Sequence, residues 1–192
     1  MRSSTRLSRN VVLAIGLAPL LCASAPARDA TIQSVIHATF PNSVIEEHKV
    51  GISAATRETL GEAARVHLAP RWRWTYLTVT DPTRGVVAVA GEWKAVGRHG
   101  RIETLVLADP TLHVISVTVL KHREQHGKGI VHASFLDQFR GKTATDFWRV
   151  GKDVDGISGA TVSSRAVASG TRHCLVYLKQ FALPRPTLPE TE

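Results

Sequence analysis

Cysteine and long runs of like charge are both scarce in this sequence. It contains 2 cysteines, and the first of them, Cys22, lies in an N-terminal stretch that is predicted below to be removed. Cys174 would then have no partner, which excludes an intramolecular disulfide in the mature chain. The sequence has no run of five or more like charges and no recognisable nucleic-acid-binding motif, so it indicates no nucleic acid among its partners.

Long apolar runs are also lacking. The longest stretch, residues 11–21, is shorter than the about 20 apolar residues that a membrane-spanning helix needs, and Pro19 interrupts it. Three arginines precede the stretch and small residues follow it. This pattern predicts a cleaved secretory signal peptide over residues 1–27 and a periplasmic location. Its removal lowers the formal net charge from +8 to about +5, because it takes away three Arg and no acid.

The mature chain has the length of one domain, since roughly 165 residues can bury about two-thirds of their unfolded surface. Residues 28–70 are predicted to form a helical segment packed on a domain that spans residues 71–182. Residues 183–192 form a Pro-rich tail, which is predicted to be extended and mobile. No internal repeat is present.

Apolar residues at helical spacing predict helices over residues 32–40 and 53–67. Aromatic and β-branched runs, separated by Asp-Pro-Thr turns, predict strands over residues 72–79, 86–90, 102–107 and 114–120. A short helix is expected over residues 131–139 and a long C-terminal helical segment over residues 155–181. Strands that follow one another, with helices grouped before and after them, predict an α+β fold: an antiparallel sheet with flanking helices.

The stretch from Asp155 to Ser164 reads Asp-Gly-Ile-Ser-Gly-Ala-Thr-Val-Ser-Ser and leads directly into the C-terminal helix. Hydroxyl residues at a helix start have two interpretations. They commonly cap the helix, and they can also hold a phosphate, because the first N–H groups are unpaired and the helix dipole favours negative charge. The stretch is not a Walker loop, which needs Gly-Lys-Ser/Thr, and it lacks the third Gly of a dinucleotide fingerprint.

The pattern of Asp155, then Ser158, Gly159, Ala160 and Thr161, then Ser163 and Ser164, resembles the flavinylation motif of the FMN-binding domain family. That family includes subunits of the sodium-pumping quinone reductase and of the Rnf complex, together with small secreted single-domain members. The resemblance implies that the FMN phosphate is joined to Thr161 by a phosphoester bond, which an ApbE-type flavin transferase makes.

Two upstream segments extend the resemblance over roughly residues 85–180. Residues 121–127 are similar to the family's His/Arg-x-Glu segment, and residues 135–142 to its Gln-Phe-x-Gly-Lys segment. By this resemblance His122, Arg123 and Glu124 lie near the flavin. Larger members often read Glu-Thr-Pro-Gly-Leu-Gly where this chain has Glu-Gln-His-Gly-Lys-Gly over residues 124–129.

The resemblance also implies which residues surround the phosphate. Besides Thr161, these are the neighbours in the motif: Ser158, Gly159, Ala160, Val162, Ser163 and Ser164. Lys142 or Arg165 is expected to offset the phosphate charge, although Arg165 could equally be a solvated surface residue. Asp155 either fixes the loop or assists the transferase, and we favour the second role because its charge would otherwise repel the phosphate.

Other candidates carry weaker signals. Trp93 and Trp148 could stack on the flavin, but tryptophans in small domains usually belong to the core. Three neighbouring histidines, among them His126, do not match a known metal site. The favoured function is an electron-transfer protein with a membrane or soluble donor and acceptor. The alternatives are a small flavin-dependent reductase of a diffusible acceptor and a cofactor-free periplasmic binding module. The sequence has no nicotinamide-binding fingerprint.

Overall fold

The computed structural model describes residues 26–64, 73–125 and 128–183. The strands are β1 (Val44–Gly51), β2 (Arg73–Asp81), β3 (Gly85–Val96), β4 (Arg101–Ala108) and β5 (Val114–Lys121). The helices are α1 (Pro26–Thr39), α2 (Ala54–Ala64), α3 (Ala133–Leu136) and α4 (Thr161–Phe181). The strands form one antiparallel sheet in the order β1-β2-β3-β4-β5, and this confirms the predicted α+β class.

Two of the hairpin turns are built in the same way by an Asp side chain. Asp81 Oδ1 accepts a hydrogen bond from the backbone N–H of Thr83 at 2.9 Å, and Gly85 takes φ +77° where β3 begins. Asp109 Oδ1 accepts from the backbone N–H of Thr111 at 2.8 Å. Asp satisfies the backbone of a tight turn in this way, so both turns form where the Asp-Pro-Thr pattern predicted them.

The sheet has a core on each face, because strand residues alternate in direction. On one face, Ile32 and Ile36 of α1 pack against a cluster that includes Leu77 and Val79 of β2. On the other face, α4 packs against residues such as Trp74, and α2 contributes to the same cluster. The layers are therefore α1, the sheet, and α4 with the shorter helices.

Helix α4 approaches β3 closely because glycines stand at both sides of the contact. A Cβ atom at Gly91 of β3 would lie 2.6 Å from Cys174 Sγ and 2.7 Å from Trp74 Cζ2. A Cβ atom at Gly170 of α4 would lie 2.9 Å from Trp93 Cδ1. The distance between the sheet and the helix is therefore set by residues without side chains.

Several predicted boundaries change. The segment over residues 28–70 is not all helical, because β1 lies within it and pairs with β2. The short helix over residues 131–139 is one turn of α-helix followed by a 3₁₀ turn, Asp137–Phe139. The C-terminal helix begins at Thr161, and residues 155–160 form a loop before it. The predicted signal segment, apart from residues 26 and 27, and residues 184–192 of the tail lie outside the described residues. No helix in the described ranges has the length and apolar character to cross a membrane.

Candidate functional site

The loop before α4 places Thr161 as the first residue of the helix. Gly159 takes φ +74°, a conformation that favours glycine, and the N–H of Ala160 donates to the carbonyl of Ile157 at 2.9 Å. The N-cap residue is Ala160, which makes no side-chain capping bond. Of the two interpretations of the hydroxyl cluster, capping at the N-cap position is therefore wrong.

The two serines of the first helical turn are buried and engaged within the protein. Ser164 Oγ accepts from the N–H of Ile157 at 3.1 Å and donates to the carbonyl of Ala160 at 3.0 Å. Ser163 Oγ donates to Glu124 Oε2 at 2.6 Å. Thr161, in contrast, is exposed, as are Ser158 and Gly159. The hydroxyl that the first turn presents to solvent is therefore that of Thr161.

The helix start also presents unpaired backbone donors. The N–H of Ser164 donates to the carbonyl of Ala160 at 2.9 Å, so the N–H groups of Thr161, Val162 and Ser163 precede this intrahelical bond. Such groups carry the positive end of the helix dipole and can hold an anion.

Glu124 is buried at the centre of a small network. Its Oε1 accepts from the backbone N–H of His99 at 2.9 Å, and its Oε2 lies 3.4 Å from the Nδ1 of the same residue. Burial raises the pKa of Glu124, but the hydrogen bonds from Ser163 and His99 outweigh this effect and the net pKa is lowered. The carboxylate is therefore ionised, and it contacts the protein on both of its oxygens.

Asp155 is held by its backbone. Its N–H donates to Gln138 Oε1 at 2.6 Å, and its carbonyl accepts from Gln138 Nε2 at 3.4 Å. The predicted loop role, in which the Asp155 carboxylate would accept from Ile157 or Ser158, is not seen, because the N–H of Ile157 donates to Ser164 instead. Within the described ranges no hydrogen bond or ion pair engages this exposed carboxylate.

A cleft of about 590 Å³ lies along the exposed side of the first turns of α4. Its walls come from the end of β3, from the segment before the loop and from one face of the helix: Val96, Trp148, Arg149, Val150, Val162, Arg165, Ala166 and Ser169. Val96 is 76% exposed and Val162 is 49% exposed, so the cleft is open to solvent. It combines apolar walls, one aromatic ring and two arginines.

The remaining candidates divide between this cleft and its surroundings. Arg165 lines the cleft one turn after Thr161. Lys142 is not a lining residue, but its Nζ lies 5.8 Å from the centre of the Trp148 ring, which does line the cleft. His122 is half-buried and accepts from the N–H of Glu124 through Nδ1 at 3.2 Å, and Arg123 is exposed.

The two tryptophans have different positions. Trp148 lines the cleft, whereas Trp93 is a core residue whose ring lies 5.1 Å from that of Tyr177. Cys174 is also in the core, and burial raises its pKa. Among the described residues no three His, Cys, Asp or Glu side chains form a group that could hold a metal ion, and His126 lies outside those residues.

Sequence reasoning missed the part that Val96, Arg149 and Val150 play in the cleft. Val96 lies more than 50 positions before the other two residues in the chain, and no local pattern relates them. It also missed His99 as a partner of Glu124. The helical spacing of Val162, Arg165, Ala166 and Ser169 was the available signal, because it places them on one side of α4.

Comparison with known proteins gives a consistent result. The family model of the FMN-binding domain matches residues 97–176. One subunit of the ion-translocating oxidoreductase complex of Photorhabdus laumondii is 33% identical over 105 residues, which cover 49% of this chain and 47% of that protein. One subunit of the proton-translocating ferredoxin:NAD(+) oxidoreductase complex of Clostridium ljungdahlii is 33% identical over 93 residues, 44% of this chain and 50% of that protein. The chain spans about half the length of the curated relatives that it matches.

The fold is shared with a solved structure. NqrC of Shewanella oneidensis superimposes with a TM-score of 0.59 at 16% sequence identity, and the match covers 80% of this chain and 95% of that one. At this identity the likeness concerns the fold. Together the matches confirm the resemblance that the motifs indicated.

Proposed function

We propose that this chain, whose residues 97–176 match the FMN-binding domain, is an exported flavoprotein that carries FMN on Thr161, through a phosphoester bond, and transfers electrons between redox partners. One observation carries the proposal: the Thr161 hydroxyl is the exposed one at the start of α4, beside the cleft, while Ser163 and Ser164 are buried in bonds to the protein.

The residues present fit FMN. A volume of about 590 Å³ lies within the range of small-molecule sites. A flavin site needs a grip on the phosphate, an apolar or aromatic slot, and polar groups near the ring. The first N–H groups of α4 supply the grip, Trp148 and the valines of the cleft supply the slot, and Arg149 and Arg165 supply polar contacts.

Each part of the site then has a task. The N–H groups of Thr161, Val162 and Ser163 offer hydrogen bonds to the phosphate, and the helix dipole offsets part of its charge. Arg165 lies one turn further on the same side of α4, within reach of the helix start. When bound, FMN supplies one- and two-electron transfer. The cleft is open to solvent at Val96 and Val162, so a partner protein could approach a group held there.

The relatives support a transfer role, because their names identify them as subunits of oxidoreductase complexes. A small reductase that acts on a diffusible acceptor would use the same site. Substrate-dependent turnover by the purified flavoprotein, without a partner protein, would favour a reductase over a carrier.

The test of the covalent link is Thr161→Ala. We expect co-expression with an ApbE-type flavin transferase to give a protein whose flavin fluorescence survives denaturing electrophoresis, and the variant to lose this band while it stays folded, since Ala has a high helix propensity. Ser169→Ala is the matched control, because Ser169 is another exposed hydroxyl residue of α4 that lines the cleft. Retention of the fluorescent band in Thr161→Ala would refute the assignment.

The proposal includes export to the periplasm, which rests on the pattern of residues 1–27. Fusion of residues 1–30 to a reporter that is active only outside the cytoplasm should give activity and a shortened product. An uncleaved, membrane-retained product would instead identify the apolar stretch as an anchor.

A further inference from the structure

Three segments that are far apart in the chain meet at Glu124. They are the turn between β3 and β4, which contains His99, the loop after β5, which contains Glu124 itself, and the first turn of α4, which contains Ser163. The Glu124 side chain is 1% exposed. It is thus a buried carboxylate at the junction between the sheet and α4.

Both carboxylate oxygens accept a hydrogen bond, and Oε2 also lies 3.4 Å from His99 Nδ1. Oε1 accepts from the backbone N–H of His99 at 2.9 Å, and Oε2 accepts from the Ser163 hydroxyl at 2.6 Å. Hydrogen bonds to an ionised acceptor are short and stronger than neutral ones. Glu124 therefore ties the first turn of α4 to the β3–β4 turn by charge-assisted bonds at both ends.

The surroundings are shaped to keep the carboxylate in this position. A Cβ atom at Gly97, in the β3–β4 turn, would collide with Glu124 Oε1 and lie 2.7 Å from Ile102 Cδ1, so the absence of a side chain there leaves room for the carboxylate. The Glu124 N–H is itself bonded to His122 Nδ1 at 3.2 Å. Removing a carboxylate from water is costly unless its hydrogen bonds are complete. The buried Glu124 carboxylate, with its bonds to His99 and Ser163, therefore forms a rigid link between the β3–β4 turn and α4, and we call this link the bracket.

The bracket holds the helical turn that contains Thr161. Ser163 lies two residues after Thr161, in the same first turn, and its N–H is one of the unpaired donors at the helix start. Helix ends fray where nothing holds them, and frayed ends lose the common direction of their N–H groups. The Ser163 hydroxyl holds this end from the buried side, while Thr161 faces solvent.

We propose that Glu124 is a positioning residue which, through Ser163, fixes the first turn of α4 so that the Thr161 hydroxyl and the neighbouring N–H groups are pre-arranged for attachment of the flavin phosphate. The part that concerns attachment rests on the proposed function, whereas the part that concerns the order of the helix start does not. Glu124 has no contact with the flavin in this scheme. Its effect passes through the Ser163 hydroxyl.

The test uses Glu124→Gln and Ser163→Ala in the full-length protein. Gln keeps the size of Glu but has no charge and only one acceptor oxygen, which cannot accept from the His99 N–H and the Ser163 hydroxyl at the same time, so the charge-assisted link is lost. Ala removes the same link from the other side and favours the helix. Thr171→Val is the matched control, because the Thr171 hydroxyl is also buried in α4 but donates within the helix, to the carbonyl of Val167 at 2.9 Å.

The first measurement is amide hydrogen exchange of peptides covering residues 157–165 in the flavin-free proteins. Glu124→Gln and Ser163→Ala should each speed exchange there by about tenfold or more, the effect of losing a hydrogen bond to a charged group. The double variant should exchange little faster than the faster single variant, since both changes break one link. Thr171→Val should leave this segment unchanged. Unchanged exchange in the two single variants, or additive effects in the double variant, overturns the proposal.

The second measurement is the initial rate at which purified transferase moves the FMN moiety of FAD onto the Thr161 oxygen, at a temperature at which all variants are folded. In this step the pyrophosphate bond of FAD breaks, the phosphoester bond to Thr161 forms, and AMP and the hydroxyl proton leave. We expect Glu124→Gln and Ser163→Ala to be slowed by a similar factor, and Thr171→Val to match the parent. Faster exchange with an unchanged attachment rate overturns the link between the bracket and attachment. A parent protein that accepts no flavin at Thr161 refutes the proposed function instead, and the exchange results still decide whether Glu124 orders the helix start.

Discussion

Gly91→Ala tests whether the close contact between α4 and the sheet fixes the position of α4, the helix that carries Thr161. The added methyl group would meet Cys174 Sγ at 2.6 Å and Trp74 Cζ2 at 2.7 Å. Neither neighbour can retreat easily. Cys174 is completely buried, and Trp74 is fixed by the bond from its Nε1 to the carbonyl of Glu92 at 2.9 Å.

The expected magnitude combines two opposing effects. Overpacking of a well-packed core costs about 1–3 kcal/mol. Replacing Gly by Ala within a strand recovers about 0.5–1 kcal/mol of conformational entropy. Contacts of 2.6 and 2.7 Å place the overpacking in the upper part of its range, about 2–3 kcal/mol. We therefore expect Gly91→Ala to lower the free energy of unfolding by about 1–2.5 kcal/mol, which is a measurable part of the stability of a domain of this size.

The partner variant is Cys174→Ala, which removes Sγ, the atom closest to the new methyl group. By itself it should cost about 0.5–1.5 kcal/mol, as the loss of one buried heavy atom does. In the double variant the two changes compensate, so the sum of the single effects should exceed the double effect by about 1 kcal/mol. Urea denaturation at pH 7 measures all four proteins. Additive changes in the free energy of unfolding would show that α4 shifts away from the sheet and relieves the clash. They would refute the inference that this contact fixes the position of α4.

Three further predictions concern charged groups. Arg165→Gln should weaken FMN binding to the flavin-free protein about two- to tenfold, because it removes a positive charge from the cleft. The effect is modest because Arg165 is exposed and its charge is screened by solvent and salt. Equal affinities in a fluorescence titration would show that Arg165 does not contribute to FMN binding. Burial raises the pKa of Asp109, but bonds from Thr111 and His113 outweigh it and the net pKa is lowered. Its stabilising effect is thus present above the unfolded-state pKa of about 4 and lost as the pH falls through the folded-state pKa, so Asp109→Asn should make the unfolding free energy decline less steeply between pH 7 and 2. Asp155→Asn should keep the fold, since the loop is held there by backbone groups of Asp155. It should lose covalent flavin if the Asp155 charge assists the transferase. Normal in-gel fluorescence would refute that role.

The sheet and its helices follow from the sequence where the local pattern is strong. The strands β2 to β5 were predicted because aromatic and β-branched runs alternate with Asp-Pro-Thr turns, and the turns form as their chemistry requires. Strand β1 was missed. It lies at the edge of the sheet and includes the exposed residues Glu46, Glu47 and Lys49, so its one-sided contact with β2 leaves little apolar periodicity. Charged residues are common on edge strands, where they discourage pairing with other chains.

The candidate site could be predicted only in part, because some of its contacts join residues that are distant in the chain. The motif around Thr161 is continuous in sequence, so its resemblance to a known family could identify it, and the comparison with known proteins agrees. The bond between Glu124 and Ser163 joins residues 39 positions apart, and it depends on how β5 and α4 are packed. Spacing along the chain carries no information about such a contact. The proximity of Glu124 to the flavin stays a prediction, and the structure adds that its carboxylate lies between Ser163 and His99.

The arrangement separates the two demands on this helix start. The proposed attachment would need a hydroxyl that a transferase can reach, and phosphate binding would need N–H groups that do not move. Thr161 meets the first demand because it is exposed at the helix start. The serines that follow meet the second: Ser163 bonds to Glu124 on the sheet side, and Ser164 bonds to the loop through Ile157. Ordering these groups in advance removes the entropy cost that binding would otherwise carry. Under the proposed function, one exposed hydroxyl serves attachment and two buried hydroxyls keep the turn rigid, which would account for three hydroxyl residues in a single helical turn.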